Sequence, residues 1–139
     1  MRFIDASTFL YAFLKPERPL PLDAAELKRG AQAILMRVNE GERVITSVVH
    51  VSEVACILEA NVSLSESRRI LSDIVDKRNV EVVDVSRGLY ISSIHAAGVH
   101  DVGVNNGLAL NVMQERGVDE VYSFDKHFDN MSGVRRLTR

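Results

Sequence analysis

Apolar and polar residues along this chain follow two different spacings. Short runs rich in β-branched or aromatic residues predict strands at residues 2–4, 44–46, 80–85 and 120–124, with a last edge strand at 133–137. Longer segments with an apolar residue every three or four positions predict helices at residues 8–14, 23–40, 47–62, 63–75, 88–99 and 105–116. Because short strands alternate with longer helices, we expect an α/β fold. It would be a three-layer α/β/α sandwich around a central, mainly parallel sheet, in a single domain of residues 1–139.

The ends of the predicted helices carry their own signals. Gly117 stops the helix before it, because glycine readily adopts the left-handed conformation of a C-terminal cap. The third helix begins at either Ser47 or Ser52. Two further helices begin with the spacing of a capping box, at Asp23 with Glu26 and at Ser63 with Glu66.

The composition is that of a globular protein with a real core. The chain has 139 residues, of which 46% are hydrophobic and 26% are charged. No apolar run approaches the ~18 residues of a membrane span, and the first residues become acidic too early for a signal peptide. The only cysteine, Cys56, cannot form an intramolecular disulfide and lies in an apolar helical pattern, so we expect it to be a small core residue. These features predict a soluble protein of a reducing cytoplasm.

The charge balance limits how the protein could hold nucleic acid. The formal net charge is −2, whereas proteins that neutralise many phosphates usually carry a basic surplus. Any nucleic-acid contact must therefore be local. One basic cluster at the C-terminus is equally compatible with a phosphate contact and with a solvated tail: Arg135, Arg136 and Arg139.

Three acidic residues occupy positions where a functional site is expected. Asp5 and Asp125 follow predicted strands directly, and ligands of open α/β sheets bind beyond the carboxyl ends of strands, where the strand order reverses. Glu53 lies early in a helix among apolar neighbours, and glutamate is almost never buried without a partner. Each of the three also has a purely structural interpretation, as a turn residue, a helix cap or a complement to the helix dipole.

A cluster of carboxylates points to a metal ion. Like charges repel, so a cation normally holds such a cluster together. Oxygen ligands alone favour Mg²⁺ or Mn²⁺ over zinc. The histidines show no zinc-ligand spacing together with Cys56, and we expect each of them at the surface: His50, His95, His100 and His127.

Four segments, in order along the chain, resemble the motifs of the PIN domain family. The third of them holds Asn106 where the family usually has aspartate, and Asp101, five residues earlier, is a possible substitute at a different spacing. The resemblance implies acidic site positions at Asp5, Glu53 and Asp125. The segments are residues 1–7 (MRFIDAS), 46–54 (TSVVHVSEV), 105–110 (NNGLAL) and 121–129 (VYSFDKHFD).

The resemblance also implies an activity, an endoribonuclease that depends on Mg²⁺ or Mn²⁺. In that interpretation Asp5 holds the metal together with Asp125 or the side chain of Asn106. Glu53 orients water or holds a second metal, and Ser7 and Ser123 support the acids. Many family members of this size are VapC-type toxins, commonly dimers that bind an antitoxin protein. Apolar stripes on the two helices between residues 47 and 79 agree with a homodimer.

Two other classes of function remain open. One is a PIN fold with weakened catalysis that acts as an RNA-binding or protein-binding module, and Asn106 is the main reason to consider it. The other is a phosphotransfer or receiver-like domain, in which a strand-end aspartate is the nucleophile. The phosphatase form of that class needs a second aspartate two residues after Asp5, and Ser7 stands there instead.

Overall fold

Five short parallel strands form the central sheet of the described chain, which comprises residues 1–16 and 18–139 of a computed structural model. The strand order is β3-β2-β1-β4-β5, so β1 lies at the centre. Every neighbouring pair is parallel, which confirms the predicted α/β class and its mainly parallel sheet. The strands are β1 (Arg2–Ile4), β2 (Val44–Ser47), β3 (Val80–Val83), β4 (Glu120–Tyr122) and β5 (Arg135–Leu137).

Helices cover both faces of this sheet, as the three-layer prediction required. One core holds Ile4 and Val44 of the sheet beneath the first four helices, and the other holds Phe3 and Ile45 beneath the last helices. Strands buried on both faces are apolar at successive positions. The helices of the described residues are α1 (Ala6–Phe13), α2 (Leu22–Asn39), α3 (Val48–Asn61), α4 (Leu64–Asp76), α5 (Arg87–His100) and α6 (Val104–Arg116), followed by a 3₁₀ turn at Lys126–Asn130.

Several predicted helix ends are correct and one is wrong. Ser63 caps α4, since its hydroxyl accepts a hydrogen bond from the Glu66 amide at 3.1 Å. Ser47, rather than Ser52, caps α3. The expected capping box at Asp23 is absent, because α2 already begins at Leu22 after the extended residue Pro21 and has no side-chain cap. Asp23 then lies inside the first turn, where its charge complements the helix dipole.

Two predictions about burial are also wrong. Cys56 is exposed, because α3 buries Val54 and Leu58 and presents residue 56 to solvent. His50 is fully buried, since it lies four residues before Val54 on the same face of α3.

Helix α5 packs through small residues. It buries Ser93 and Ala97 against α6, whereas Ile91 and Ile94 are 56% and 51% exposed. Gly107 of α6 permits this approach, since a Cβ atom there would lie 2.5 Å from the carbonyl oxygen of Ser93. Among the residues described, no helix is both long and apolar enough to cross a membrane.

The arginines of the C-terminal cluster are engaged within the fold. Arg135 forms an ion pair with Glu120. Arg136 donates two hydrogen bonds of 2.9 Å to the carboxylate of Asp129. Both charges are therefore partly compensated, which weakens the interpretation of these two residues as a free phosphate contact.

The close approach of α5 and α6 can be tested with a pair of alanine substitutions. In Gly107→Ala the new methyl group would meet backbone atoms of Ser93 and Ala97, at 2.5 and 2.9 Å, so the helices must move apart. We expect the free energy of unfolding to fall by about 1–3 kcal/mol. Gly98→Ala meets nothing within 4 Å and should be neutral or stabilising by up to ~1 kcal/mol. Urea unfolding measures both, and equal stability of the two variants would contradict the tight contact.

Candidate active site

The acidic residues lie at the carboxyl edge of the sheet. Asp5 directly follows β1, Asp125 lies three residues beyond β4, and Glu53 is in the helix that follows β2. The chain continues from β1 to β2 on one side, whereas β4 lies on the other side of β1. The strand order therefore reverses at β1 and β4, the place where open α/β sheets form a ligand crevice.

Asp5 is buried and held by two hydroxyl groups. It is only 4% exposed and precedes the first turn of α1, but its side chain makes no capping bond. Instead its Oδ2 accepts hydrogen bonds from Ser7 Oγ at 2.7 Å and from Ser123 Oγ at 2.8 Å. Within the described chain no hydrogen bond reaches Oδ1, which lies 3.8 Å from Nε2 of His50. One oxygen of Asp5 is thus fixed and the other is free to act as a ligand.

The same two serines connect the first strand to the loop after β4. Ser7 Oγ accepts a hydrogen bond from the Phe124 amide, and Ser123 Oγ accepts one from the Asp125 amide, both at 3.0 Å. The two hydroxyl oxygens lie 3.2 Å apart. These hydrogen bonds fix the loop that carries Asp125 relative to Asp5.

Two consecutive asparagines at the start of α6 hold the other two acids. Asn105 Nδ2 donates to Glu53 Oε1 at 2.6 Å, and Asn106 Nδ2 donates to Asp125 Oδ2 at 2.8 Å. The structure thus brings Asn106 to Asp125 directly. Asn105 was not identified from the sequence as a site residue, because nothing in its spacing distinguishes it from its neighbour.

The pKa of Glu53 depends on its burial and on the charges of the two nearby aspartates. Burial raises the pKa of Glu53, the carboxylates of Asp5 and Asp125 raise it further, and the hydrogen bond from Asn105 opposes both. At Asp125 burial acts in the same direction but is outweighed, since hydrogen bonds from Asn106 and His127 hold the pKa of that carboxyl below its usual value. His127 makes one of these bonds through its ring, with Nδ1 at 2.8 Å from Asp125 Oδ1.

His50 is buried next to Asp5. Its Nε2 donates to the backbone carbonyl of Asn105 at 3.0 Å, so Nδ1 is left to accept a hydrogen bond from Ser47 Oγ at 2.7 Å. Burial lowers the pKa of His50. The ring is therefore neutral and joins the end of β2 to the start of α6. The helical stripe that His50 shares with Val54 and Leu58 was the sequence signal for its burial.

Asp101, the possible substitute acid, lies outside this network. It is exposed and ends α5 in the left-handed conformation, with φ of 53°. Asp tolerates that conformation better than most residues, which gives it a structural role as a helix terminator. No hydrogen bond in the described part of the chain connects Asp101 to the acids.

The donor set fits a hydrated divalent metal. Asp5, Glu53, Asp125 and Asn106 offer only oxygen ligands, and within the described residues no lysine or arginine forms an ion pair with these acids. In the same part of the chain no group of three or more His, Cys, Asp or Glu side chains is arranged to hold a metal ion. An all-protein cage is therefore not formed, whereas Mg²⁺ typically uses one or two carboxylates and keeps several waters.

Comparisons with known proteins identify the family and the fold of this chain. The family model described as the PIN domain matches residues 2–134. No curated protein matches the chain by sequence. VapC20 of Mycobacterium tuberculosis, described as a toxin that cleaves the sarcin–ricin loop, has a TM-score of 0.70 at 16% identity over 91% of each chain. PAE2754 of Pyrobaculum aerophilum has a TM-score of 0.60 at 15% identity, over 97% of this chain and 87% of its own. Both have the fold of this chain.

Metal binding at this edge can be measured directly. We expect Mn²⁺ to bind the wild-type protein and Asp5→Asn to weaken that binding by about tenfold or more, because the substitution removes a negative charge next to a dication. Asp76→Asn is the matched control, since Asp76 is exposed and ends α4 at the opposite edge of the sheet. Calorimetric titration compares the three proteins. Equal affinities for all of them would place the ion elsewhere.

Proposed function

The chain belongs to the PIN domain family, and from that premise we propose that it is a divalent-metal-dependent endoribonuclease. The observation that carries the proposal is that Asp5, Glu53 and Asp125 lie at the same carboxyl edge of the sheet, held there by hydrogen bonds from serines and asparagines. VapC20, which has the same fold, is described as a toxin that cleaves the sarcin–ricin loop, and this supports RNA as the substrate class.

The site residues would have separate roles in phosphodiester hydrolysis. Asp5 and Asp125 would hold Mg²⁺ or Mn²⁺, with the Oδ1 atom of Asn106 as a neutral ligand, directly or through water. The chemistry that such an ion supplies is polarisation of a phosphate oxygen and a lowered pKa for a coordinated water. Ser7 and Ser123 keep the Asp5 carboxylate in one orientation, since both hydroxyls donate to its Oδ2.

Glu53 would act on the attacking water. Its Oε1 is held by Asn105, and burial raises its pKa, which makes this carboxylate a stronger base than an exposed glutamate. Water adds to phosphorus, the bond from phosphorus to the leaving oxygen breaks, and that oxygen takes up a proton. Glu53 is also placed to hold a second metal that arrives with the substrate.

A second function is favoured by Asn106. Its amide occupies Asp125 Oδ2, so a metal must compete with an existing hydrogen bond at that atom. A PIN fold of this kind would bind RNA or a protein partner with weakened catalysis.

Cleavage assays with three proteins distinguish these two functions. We expect slow cleavage of RNA by the wild type, faster with Mn²⁺ than with Mg²⁺ and absent with chelator. Asn106→Asp should raise metal affinity and cleavage by about tenfold or more, because a full charge replaces an amide near a dication. Asp5→Asn should lower cleavage by a factor on the order of a thousand. Single-turnover rates at matched metal concentration give the comparison. If neither the wild type nor Asn106→Asp cleaves RNA, the nuclease is excluded and the binding module is the remaining function.

We further propose that the protein is the toxin of a toxin–antitoxin pair and forms a two-fold homodimer. The stripes of α3 and α4 that suggested a dimer are largely buried in the core, and α5 carries more large exposed apolar side chains than any other helix of the described residues. These side chains are Tyr90, Ile91, Ile94 and Val99. The single domain and the cytoplasmic location stay predictions.

Sedimentation tests the dimer. Ile94→Glu places a charge in the exposed stripe of α5 and should convert the dimer to monomer at micromolar concentration. Ile57→Glu is the control, because Ile57 is also partly exposed but lies on α3. A wild-type protein that sediments as a monomer would contradict the proposal.

A further inference from the structure

Two aromatic rings stack on each other beside the acidic site. The ring centroids of Tyr11, in α1, and Phe124 lie 4.7 Å apart with an angle of 21° between the planes. Tyr11 is 41% exposed and Phe124 is half-buried. Most of the other aromatic side chains lie in the two cores, namely Phe3, Phe9, Tyr122 and Phe128. The pair thus leaves aromatic surface in contact with solvent.

The aromatic pair is connected to Asp5 and Asp125 by chain neighbours and by one hydrogen bond. Phe124 lies between Ser123 and Asp125 in the chain, and its amide donates to Ser7 Oγ at 3.0 Å. Tyr11 follows Ser7 by four residues in α1, so the two side chains share one face of the helix, about 6 Å apart along its axis. The rings therefore lie one helical turn from the hydroxyl that holds Asp5, within reach of a nucleotide next to the reacting phosphate.

An aromatic contact would add to RNA affinity without relying on charge. The net charge is −2, and Arg135 and Arg136 already pair with carboxylates. These two arginines are therefore partly compensated and less able to neutralise phosphates, a contact that usually supplies most of the affinity for nucleic acid. Stacking of a base on an aromatic ring does not depend on charge and tolerates any base.

We propose that Tyr11 and Phe124 form a stacking platform for an unpaired nucleobase adjacent to the scissile phosphate. The inference rests on the proposed ribonuclease function and adds the two side chains that would hold one unpaired base. Bases within a duplex are stacked on their neighbours and cannot reach the rings. Tyr11 also borders an open, largely apolar cleft of about 270 Å³, which leaves space beside its ring.

Binding of a short single-stranded RNA, with 2-aminopurine at each position in turn, tests the platform. Chelator prevents cleavage, and stacking quenches the fluorescence of 2-aminopurine. We expect the wild type to quench one position strongly. Tyr11→Leu, which keeps apolar bulk but removes the ring, should lose that quenching and bind about 5- to 150-fold more weakly. Tyr11→Phe and Tyr11→Trp should retain both properties, and affinity should depend only weakly on salt.

Met36→Ala is the control, because Met36 is an exposed apolar residue that lies on α2, outside the site and outside the stripe of α5. It should bind RNA as the wild type does, and thermal unfolding shows whether Tyr11→Leu is folded. Wild-type affinity in folded Tyr11→Leu, or an equal loss in Met36→Ala, overturns the platform. Loss of self-association with RNA binding intact would assign the rings to a protein contact and also overturns it.

The platform and the nuclease can fail separately. RNA that is bound and quenched at one position, but never cut with Mg²⁺ or Mn²⁺, supports the platform and removes the nuclease. With cleavable RNA and metal, the platform predicts a higher KM for Tyr11→Leu and an unchanged kcat. Cleavage by Tyr11→Leu with the KM of the wild type keeps the nuclease and overturns the platform.

Discussion

Three carboxylates brought to one edge of a sheet repel one another, and the surrounding structure is arranged to offset that repulsion. In the described chain no lysine or arginine forms an ion pair with Asp5, Glu53 or Asp125. The compensation comes mainly from uncharged donors, which are serine hydroxyls, asparagine amides and backbone N–H groups. Such dipoles stabilise each carboxylate without cancelling its charge. The crevice therefore keeps a negative field that favours a cation.

The parallel sheet makes this arrangement possible because it collects donors from distant parts of the chain. Ser7 follows β1, Ser123 follows β4, and the two asparagines begin α6. The buried ring of His50 connects the end of β2 to the start of α6, because it is hydrogen-bonded to Ser47 and to the carbonyl of Asn105. Each donor is attached to a backbone that is itself held in place, so the acids are oriented before any ligand binds.

The amide at position 106 has two opposing effects on the site. It orients Asp125, since it donates to Oδ2 at 2.8 Å. It also occupies an oxygen that a metal could use. An aspartate in its place would repel Asp125 until a cation bound, so order in the site would then depend on the metal. The two functions proposed above would therefore differ in the affinity of the site for an ion, which depends on residue 106.

The sequence by itself determined the strands, the parallel α/β class and the acids at the strand ends, because these follow from local spacing and from the direction of the chain. It also identified Ser63 and Gly117 as helix ends, since caps depend on a few adjacent residues. Only the tertiary structure decided which helix faces are buried. Cys56 and Ile94 lie in apolar patterns yet are exposed, whereas His50 is polar and buried. The pairing of Asn105 with Glu53 was equally invisible, because it joins residues 52 positions apart. Burial and pairing depend on how closely neighbouring elements can approach each other. The residues of the opposite element set that distance: α5 lies close to α6 because Gly107 has no side chain.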